Sequence, residues 1–393
     1  MRQIISYIFL CSILLNAENI TLNELLAQSV QIEQLENIID KKGEAMKSKT
    51  LANTATSPLN YQQNLLRSQS KLESGYEHQL GFSKEIKLGN VQSLEREQSA
   101  LNNEAILIDN QQSIVTLSNQ IKNRYHDYCL EKTYLSSYRE RVERFGVLYA
   151  KKERAFQEGE ISKTELVQIA LEKEKLEGQL NQLRETLSHS KKYLLSLGDF
   201  SQNSTFSCDD LSLIEKPNVS DNDALALTAQ AYEKRMESVQ KGLQRYGKTF
   251  DTVELSAGYL KELNRDVYNI GISIPLNFSS KKYEYERASL MQHASAIALE
   301  KEQLLGAKLR EIDYLKAKLL QNYHAILLEQ KLIHSHNNRL LPMINKSYRY
   351  GESTVVEYLL AQQSINHLEE KLLEEKKAYY RSFFNLLTLQ EKQ

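Results

Sequence analysis

The chain predicts a mainly α fold with a membrane β-barrel portion, in which long coiled-coil helices and four β-strands per protomer are laid out as an internal duplication. Three observations predict it. The segments ERAFQEGEISKTELVQIA around Gly159 and NKSYRYGESTVVEYLLAQ around Gly351 repeat one device half a molecule apart. The 393 residues hold only 14 Gly and 4 Pro against 26% charged residues, a balance that favours long helices over ordinary globules. Short stretches switch to strict alternation of apolar and polar residues, the period of a strand with one apolar face.

The elements follow in chain order. Arg2, the apolar run Ile4 to Leu15 and the small-residue site at Ala17 read as an export signal over residues 1–17, too short to span a membrane as a helix. Cys11 follows bulky Leu10, which argues against lipidation. The first repeat covers 18–197 and opens on a capped helix, Thr21 with Glu24, running to about Lys49. A hairpin follows. Tyr76, Leu80, Phe82, Ile86 and Leu88 mark one face of its second strand, and its first strand falls between Tyr61 and Leu72. A long helix then runs from about Val91 to Glu158, on the order of 100 Å at 1.5 Å per residue.

Gly159 stops that helix, because glycine takes the left-handed conformation of a helix C-terminus without a Cβ clash. Ser162 with Glu165 restarts it as a capping box, and Ile169, Leu176, Leu180, Leu183, Leu187, Leu194 and Leu197 form the seam of the return helix. A polar linker, 198–219, leads to the second repeat, 220–393. There Ser220 with Asp223 caps the opening helix. Val253, Leu255, Ala257 and Tyr259 mark one strand; Tyr268, Ile270, Ile272, Ile274, Leu276 and Phe278 mark the next, with the turn at Leu263–Arg265. A helix from about Tyr283 to Leu340 leads towards the second tip, where Gly351, Thr354 and Glu357 repeat the device, followed by a seam of Leu359, Leu368, Leu372, Leu386 and Leu389. The duplication extends into the descending helices as YHDYCLE from Tyr125 and YHAILLE from Tyr323.

Four such strands match the length needed to cross an outer membrane at a tilt, with Tyr259, Tyr268, Ile270, Ile272, Ile274, Leu276 and Phe278 facing lipid. Four strands do not close a barrel, and open edges in lipid cost several kcal/mol per unpaired group, so other copies must complete it. Two copies give eight strands and a filled interior; three give twelve and a channel. A soluble sheet edge is the alternative that alternation alone leaves open.

At these residues the chain resembles outer-membrane efflux proteins of the TolC family. The likeness rests on the duplicated plan, on SYRYGESTVVEYLLAQQSI and its twin at Gly159, and on GISIPLNFSSKKYEYERASL and FSKEIKLGNVQSLEREQSAL, the last two most like the metal-efflux branch. The resemblance implies a homotrimer with a twelve-stranded barrel in outer-membrane lipid and a helical barrel in the periplasm. It implies that Gly159, Glu160, Ser162, Gly351, Glu352 and Thr354 meet a periplasmic adaptor (a membrane fusion protein), linked indirectly to an inner-membrane pump. Glu165 and Glu357 match acidic residues of the periplasmic aperture, while Gln168 and Leu360 stand where a further acidic ring would lie.

The remaining features read plainly. Basic and acidic residues, 50 and 51, alternate along the helices, so no nucleic-acid footprint is present. His334 and His336, two apart on a helix, do not face each other, and neither a metal site nor a cofactor is expected. His126 and His324 are expected at helix interfaces. Cys129 and Cys208 are far apart, and an oxidising compartment permits a disulfide, but unpaired thiols are the default in a helical scaffold. No phosphate loop, nucleophile elbow or zinc helix occurs, so the chain is not expected to be an enzyme. The function implied is a passive exit duct carrying metal ions or small toxic molecules; a non-pore periplasmic coiled coil and the duct of a type I secretion system remain the alternatives.

Overall fold

The computed structural model describes residues 19–69, 74–209, 211, 214–217, 225–246, 251–275 and 281–392. The elements run in order β1 (Asn19–Ile20), α1 (Leu22–Ala27), α2 (Val30–Asn53), β2 (Asn60–Gln69), β3 (Ser74–Lys87), α3 (Val91–Gln157), α4 (Lys163–Leu195), β4 (Thr205–Phe206), α5 (Ala226–Arg245), β5 (Thr252–Lys261), β6 (Asp266–Ser273), α6 (Lys282–Ser335), α7 (Leu341–Arg349) and α8 (Val355–Leu389). The described residues of Met1–Glu36, Ser113–Ala224 and Lys308–Gln393 form one compact unit, and those of Asn37–Gln112 and Leu225–Ala307 form a second. Each unit draws on both halves of the chain. No helix among the described residues is long and apolar enough to cross a membrane.

The second unit holds one antiparallel sheet in the order β2-β3-β5-β6. Cross-strand partners share a face, so the pairings Tyr61↔Phe82, Leu80↔Tyr259, Phe82↔Ala257, Ala257↔Ile270 and Leu255↔Ile272 gather the apolar residues of all four strands on one side. That side is exposed: Tyr268 is 78% and Ile270 90% accessible. The opposite side carries Gln62, Gln79, Ser83, Ser256 and Asn269, at positions that alternate with the apolar ones along each strand. Ile274 lies beyond the last strand, which ends at Ser273 just ahead of Pro275, a residue with no N–H to donate to a ladder. Leu276 and Phe278 lie outside the described residues. At the helix end of the strands, Leu88 N–H donates to Asp251 O (2.8 Å), Lys87 pairs with Glu95, and Gln92 donates to Thr54 O (2.6 Å), which ties the end of β3 to the start of β5 and to α3, and α3 to the end of α2.

In the first unit the opening helix differs from the expectation. Its capping box at Thr21 and Glu24 forms, with Thr21 N–H 2.8 Å from the Glu24 carboxylate, but the helix breaks at Gln28–Ser29. Long-range pairing competes there: Ser29 bridges to Gly198 and Val30 N–H donates to Leu197 O (2.8 Å). Ser220 and Asp223 lie outside the described residues, and α5 starts after Leu225 with no side-chain cap.

The polar segment after α4 is docked against helices. β4 pairs in parallel with β1, Phe206 is fully buried beside Tyr125 and Tyr128, and Cys208 is joined to Cys129 by a disulfide with Cα atoms 5.5 Å apart. The disulfide corrects the expectation of free thiols. Cys208 N–H also donates to the Tyr125 hydroxyl (3.1 Å), and Tyr379 donates to Glu215 O (2.7 Å). The contacts that bring the sulfurs together come from residues distant in sequence, which spacing alone does not reveal.

The seam of α4 buries Ile169, Leu176, Leu180, Leu194 and Leu197 as expected. On α8 only Leu359 and Leu386 of the expected seam are buried; Leu368, Leu372 and Leu389 are half-buried, and Ile365, Leu373, Tyr379, Tyr380 and Phe384 fill the core instead. The expected stop of the preceding helix at Leu340 is also revised. A wider π-type turn over His336–Leu340 absorbs Pro342, whose ring would clash with the carbonyl four residues back, and α7 carries on to Arg349. His336 is buried in that turn, and burial pushes its pKa below the usual imidazole range, against a smaller opposing pull from the Ala361 backbone. His334 instead meets Asn338. His126 is buried against Tyr380 and Phe384, ring centroids 4.7 and 4.9 Å away, whereas its repeat partner His324 is exposed within the single chain.

Candidate functional site at the paired helix tips

Both tips close by the same backbone device. Gly159 has φ +78° and Gly351 φ +75°. At the first, Gly159 N–H donates to Phe156 O (3.0 Å) and Glu160 N–H reaches back five residues to Ala155 O (2.8 Å). At the second, Gly351 N–H donates to Tyr348 O (3.3 Å) and Glu352 N–H to Ser347 O (2.9 Å). This double closure satisfies carbonyls that a helix C-terminus leaves unpaired. A Cβ on either glycine would meet nothing within 4 Å, so the backbone angle alone, and not crowding, requires glycine.

The chain then extends through Ser162 (φ −77°, ψ 156°) and Thr354 (φ −79°, ψ 159°), each accepting the N–H of the glutamate three residues on, at 3.1 and 3.3 Å. Here the copies part. At the second tip the box is complete, with Thr354 N–H donating to the Glu357 carboxylate (2.7 Å). At the first, the expected box is only half made. The Glu165 carboxylate turns away from the cap and accepts from Lys152 Nζ (3.3 Å) and from the Tyr348 hydroxyl (2.5 Å).

Glu165 therefore joins the two tips. Lys152 Nζ also sits 4.0 Å from the centre of the Tyr348 ring, and Tyr348 stacks on Tyr358 at 5.0 Å. Burial and then the bond to Glu165 push the Tyr348 hydroxyl pKa well above its usual range, so it stays a donor at every physiological pH. Beneath it, Tyr138, Val142, Phe145, Ile169, Leu176, Tyr358 and Leu359 form a buried cluster shared by α3, α4 and α8. Above it, a groove of about 670 Å³ runs between the tips, lined among others by Glu160, Ser162, Glu165, Gly351 and Thr354.

Of the residues singled out in sequence, Gly159, Glu160, Ser162, Gly351, Glu352 and Thr354 are exposed at the tips, and Glu357 is exposed on its cap. Glu165 is half-buried. Lys152 and Tyr348 escape sequence reasoning, although a signal exists in the mismatch between copies. The residue matching Lys152 in the second copy is Ile344, and the residue matching Tyr348 in the first is Phe156. Among the described residues, no group of three or more His, Cys, Asp or Glu side chains is placed to hold a metal ion.

No protein-family model and no curated protein sequence matches the chain. Solved structures do match it. The chain is similar to CusC, a protein whose folding is accompanied by transmembrane channel formation, at TM-score 0.77 and 16% identity over 95% of this chain and 91% of CusC. It is similar to the Campylobacter jejuni outer membrane channel CmeC (TM-score 0.71, 15% identity, 94% of this chain and 85% of CmeC). It is also similar to the open state of the Neisseria gonorrhoeae outer membrane channel MtrE (TM-score 0.69, 14% identity, 94% and 88%). The chain has the fold of these outer-membrane channels.

Proposed function

We propose that this chain is the outer-membrane exit duct of a tripartite efflux system, a homotrimer that carries metal ions or small toxic molecules outward. One observation carries the reading. The sheet has a continuous exposed apolar face, a polar opposite face and two outer strands, β2 and β6, that pair with no further strand among the described residues. In water such a face would aggregate; in lipid it is solvated, and its edges demand further strands. Edge-to-edge joining of three copies supplies twelve strands, enough for an open lumen behind the polar face.

The tips supply the second half of the reading. Their exposed Glu160, Ser162, Glu352 and Thr354 surround paired glycine turns, and a periplasmic adaptor of helical hairpins would meet them there. The duct supplies no energy and makes no bond; selection and drive belong to the pump behind the adaptor. Glu357, free of a cationic partner on its own hairpin, is the better candidate for lining an aperture, since the Glu165 carboxylate is already engaged.

Fractionation tests this. Detergent-extracted outer membranes should yield a heat-modifiable trimer of the chain. Recovery from the soluble periplasmic fraction would contradict the duct.

A further inference from the structure

We infer that the turn end of the sheet's apolar face binds the phosphate of an anionic lipid headgroup in the outer leaflet. This rests on the membrane reading of the sheet. The register supplies the argument. Arg67 stands opposite Tyr76, His78 stands between Leu65 and Lys261, and cross-strand partners share a face, so Arg67, His78 and Lys261 project from the same side as Leu80, Phe82, Ile270 and Ile272. All three are exposed, and no ion pair or hydrogen bond to a described residue engages them.

Their position along the strands is specific. The next same-face row toward the helices is Leu80, Tyr259 and Tyr268, with the two tyrosine rings 5.2 Å apart, and the apolar rows follow. An apolar band, then tyrosines, then cations is the order that a lipid-facing wall presents from hydrocarbon to headgroup. The cations lie beside the hairpin turns, whereas the opposite strand ends run into α3, α5 and α6, so this is the end away from the helices. Lys84, the other cation of this face among the described residues, lies toward the helix end.

Among the described residues, the carboxylates nearby leave a surplus of one positive charge on this face, Arg67 and Lys261 set against Asp266. Asp266, opposite Lys261, accepts from the Tyr259 hydroxyl (2.8 Å); Glu262 is ion-paired with Arg265 in the turn; and Glu77 points to the other face. A phosphate-bearing headgroup complements that surplus, and basic residues near a lipid surface attract anionic lipid.

The test uses the full chain in phosphatidylcholine vesicles doped with bisphosphorylated lipid A or with its dephosphorylated form. Flotation establishes insertion, and mass spectrometry of the lipids retained by the protein reads preference. Wild type should float and retain the phosphorylated lipid about 5-fold more than the dephosphorylated one, as one net positive charge near the surface predicts. The triple variant Arg67→Gln, His78→Gln, Lys261→Gln should float equally and lose the preference. Wild type that floats with no preference, or a triple variant that keeps it, overturns this inference and leaves the membrane reading standing. Wild type that does not float overturns the membrane reading itself. Loss of preference in millimolar inorganic phosphate would identify a free-anion site and overturn the lipid assignment.

Discussion

The two helix tips share a backbone and differ in what their glutamates hold. Glu357 completes its own cap, while Glu165 abandons its cap for Lys152 and for Tyr348 of the other tip. The reason is a single side chain in each copy. Lys152 gives Glu165 a cation on its own hairpin, and Ile344 in the matching position gives Glu357 none. The descending segments differ in the same manner. YHDYCLE places Tyr125, Tyr128 and Cys129 in a core with the docked segment, whereas YHAILLE leaves His324 and Leu327 exposed. Duplication preserved the local devices and let long-range contacts diverge.

Breaking the disulfide should produce the largest change, because it exists in one repeat only. Cys129 and Cys208 are 79 residues apart, and removing such a closure by Cys129→Ala with Cys208→Ala should cost about 4 kcal/mol. A lowered thermal midpoint, matched by wild type in reductant and absent for Leu327→Ala, would confirm the asymmetry.

Asp127, whose repeat partner is Ala325, comes next. Burial pushes its pKa up to about 6, against the pull of Lys377 and Arg381. The folded state therefore holds the proton more tightly than the unfolded one, and stability is lost as pH rises from about 4 through 6. Asp127→Asn should be more stable than wild type by about 3 kcal/mol at pH 7.5 and equal to it below pH 4, as read by denaturant midpoints across pH.

Gly159→Val and Gly351→Val should each cost about 1–2 kcal/mol locally, since both place a side chain at positive φ in open space. Equal amide-exchange changes at the two tips would show that the closures are equivalent. Gly351→Val should also assemble normally and lose transport; normal resistance at normal protein levels would remove the tip from docking. The subtlest effect separates the glutamates. Glu165→Gln loses a half-buried charge partner and should loosen both tips by about 1 kcal/mol, while Glu357→Gln keeps a capping side chain and should stay within about 0.5 kcal/mol of wild type. Exchange at residues 155–166 and 347–358 distinguishes them.

What was legible in sequence follows the same division. Gly159, Gly351, Ser162 and Thr354 announce the tips because caps depend on a few adjacent residues, and the alternation around Ile270 and Ile272 announces a strand with one apolar face. The break at Ser29, the Cys129–Cys208 bond, the turn that swallows Pro342 and the reach of Tyr348 to Glu165 depend on partners far along the chain or on packing. The α8 seam departs from a leucine heptad for a related reason: Ile365, Leu373, Tyr379, Tyr380 and Phe384, set by packing, fill its core.

The mass of the detergent-solubilised particle tests the central claim most directly. The sheet's open edges and amphipathic faces predict a particle of three chains that resists dissociation until heated. A stable monomer, or a particle of two chains, would contradict the trimeric duct.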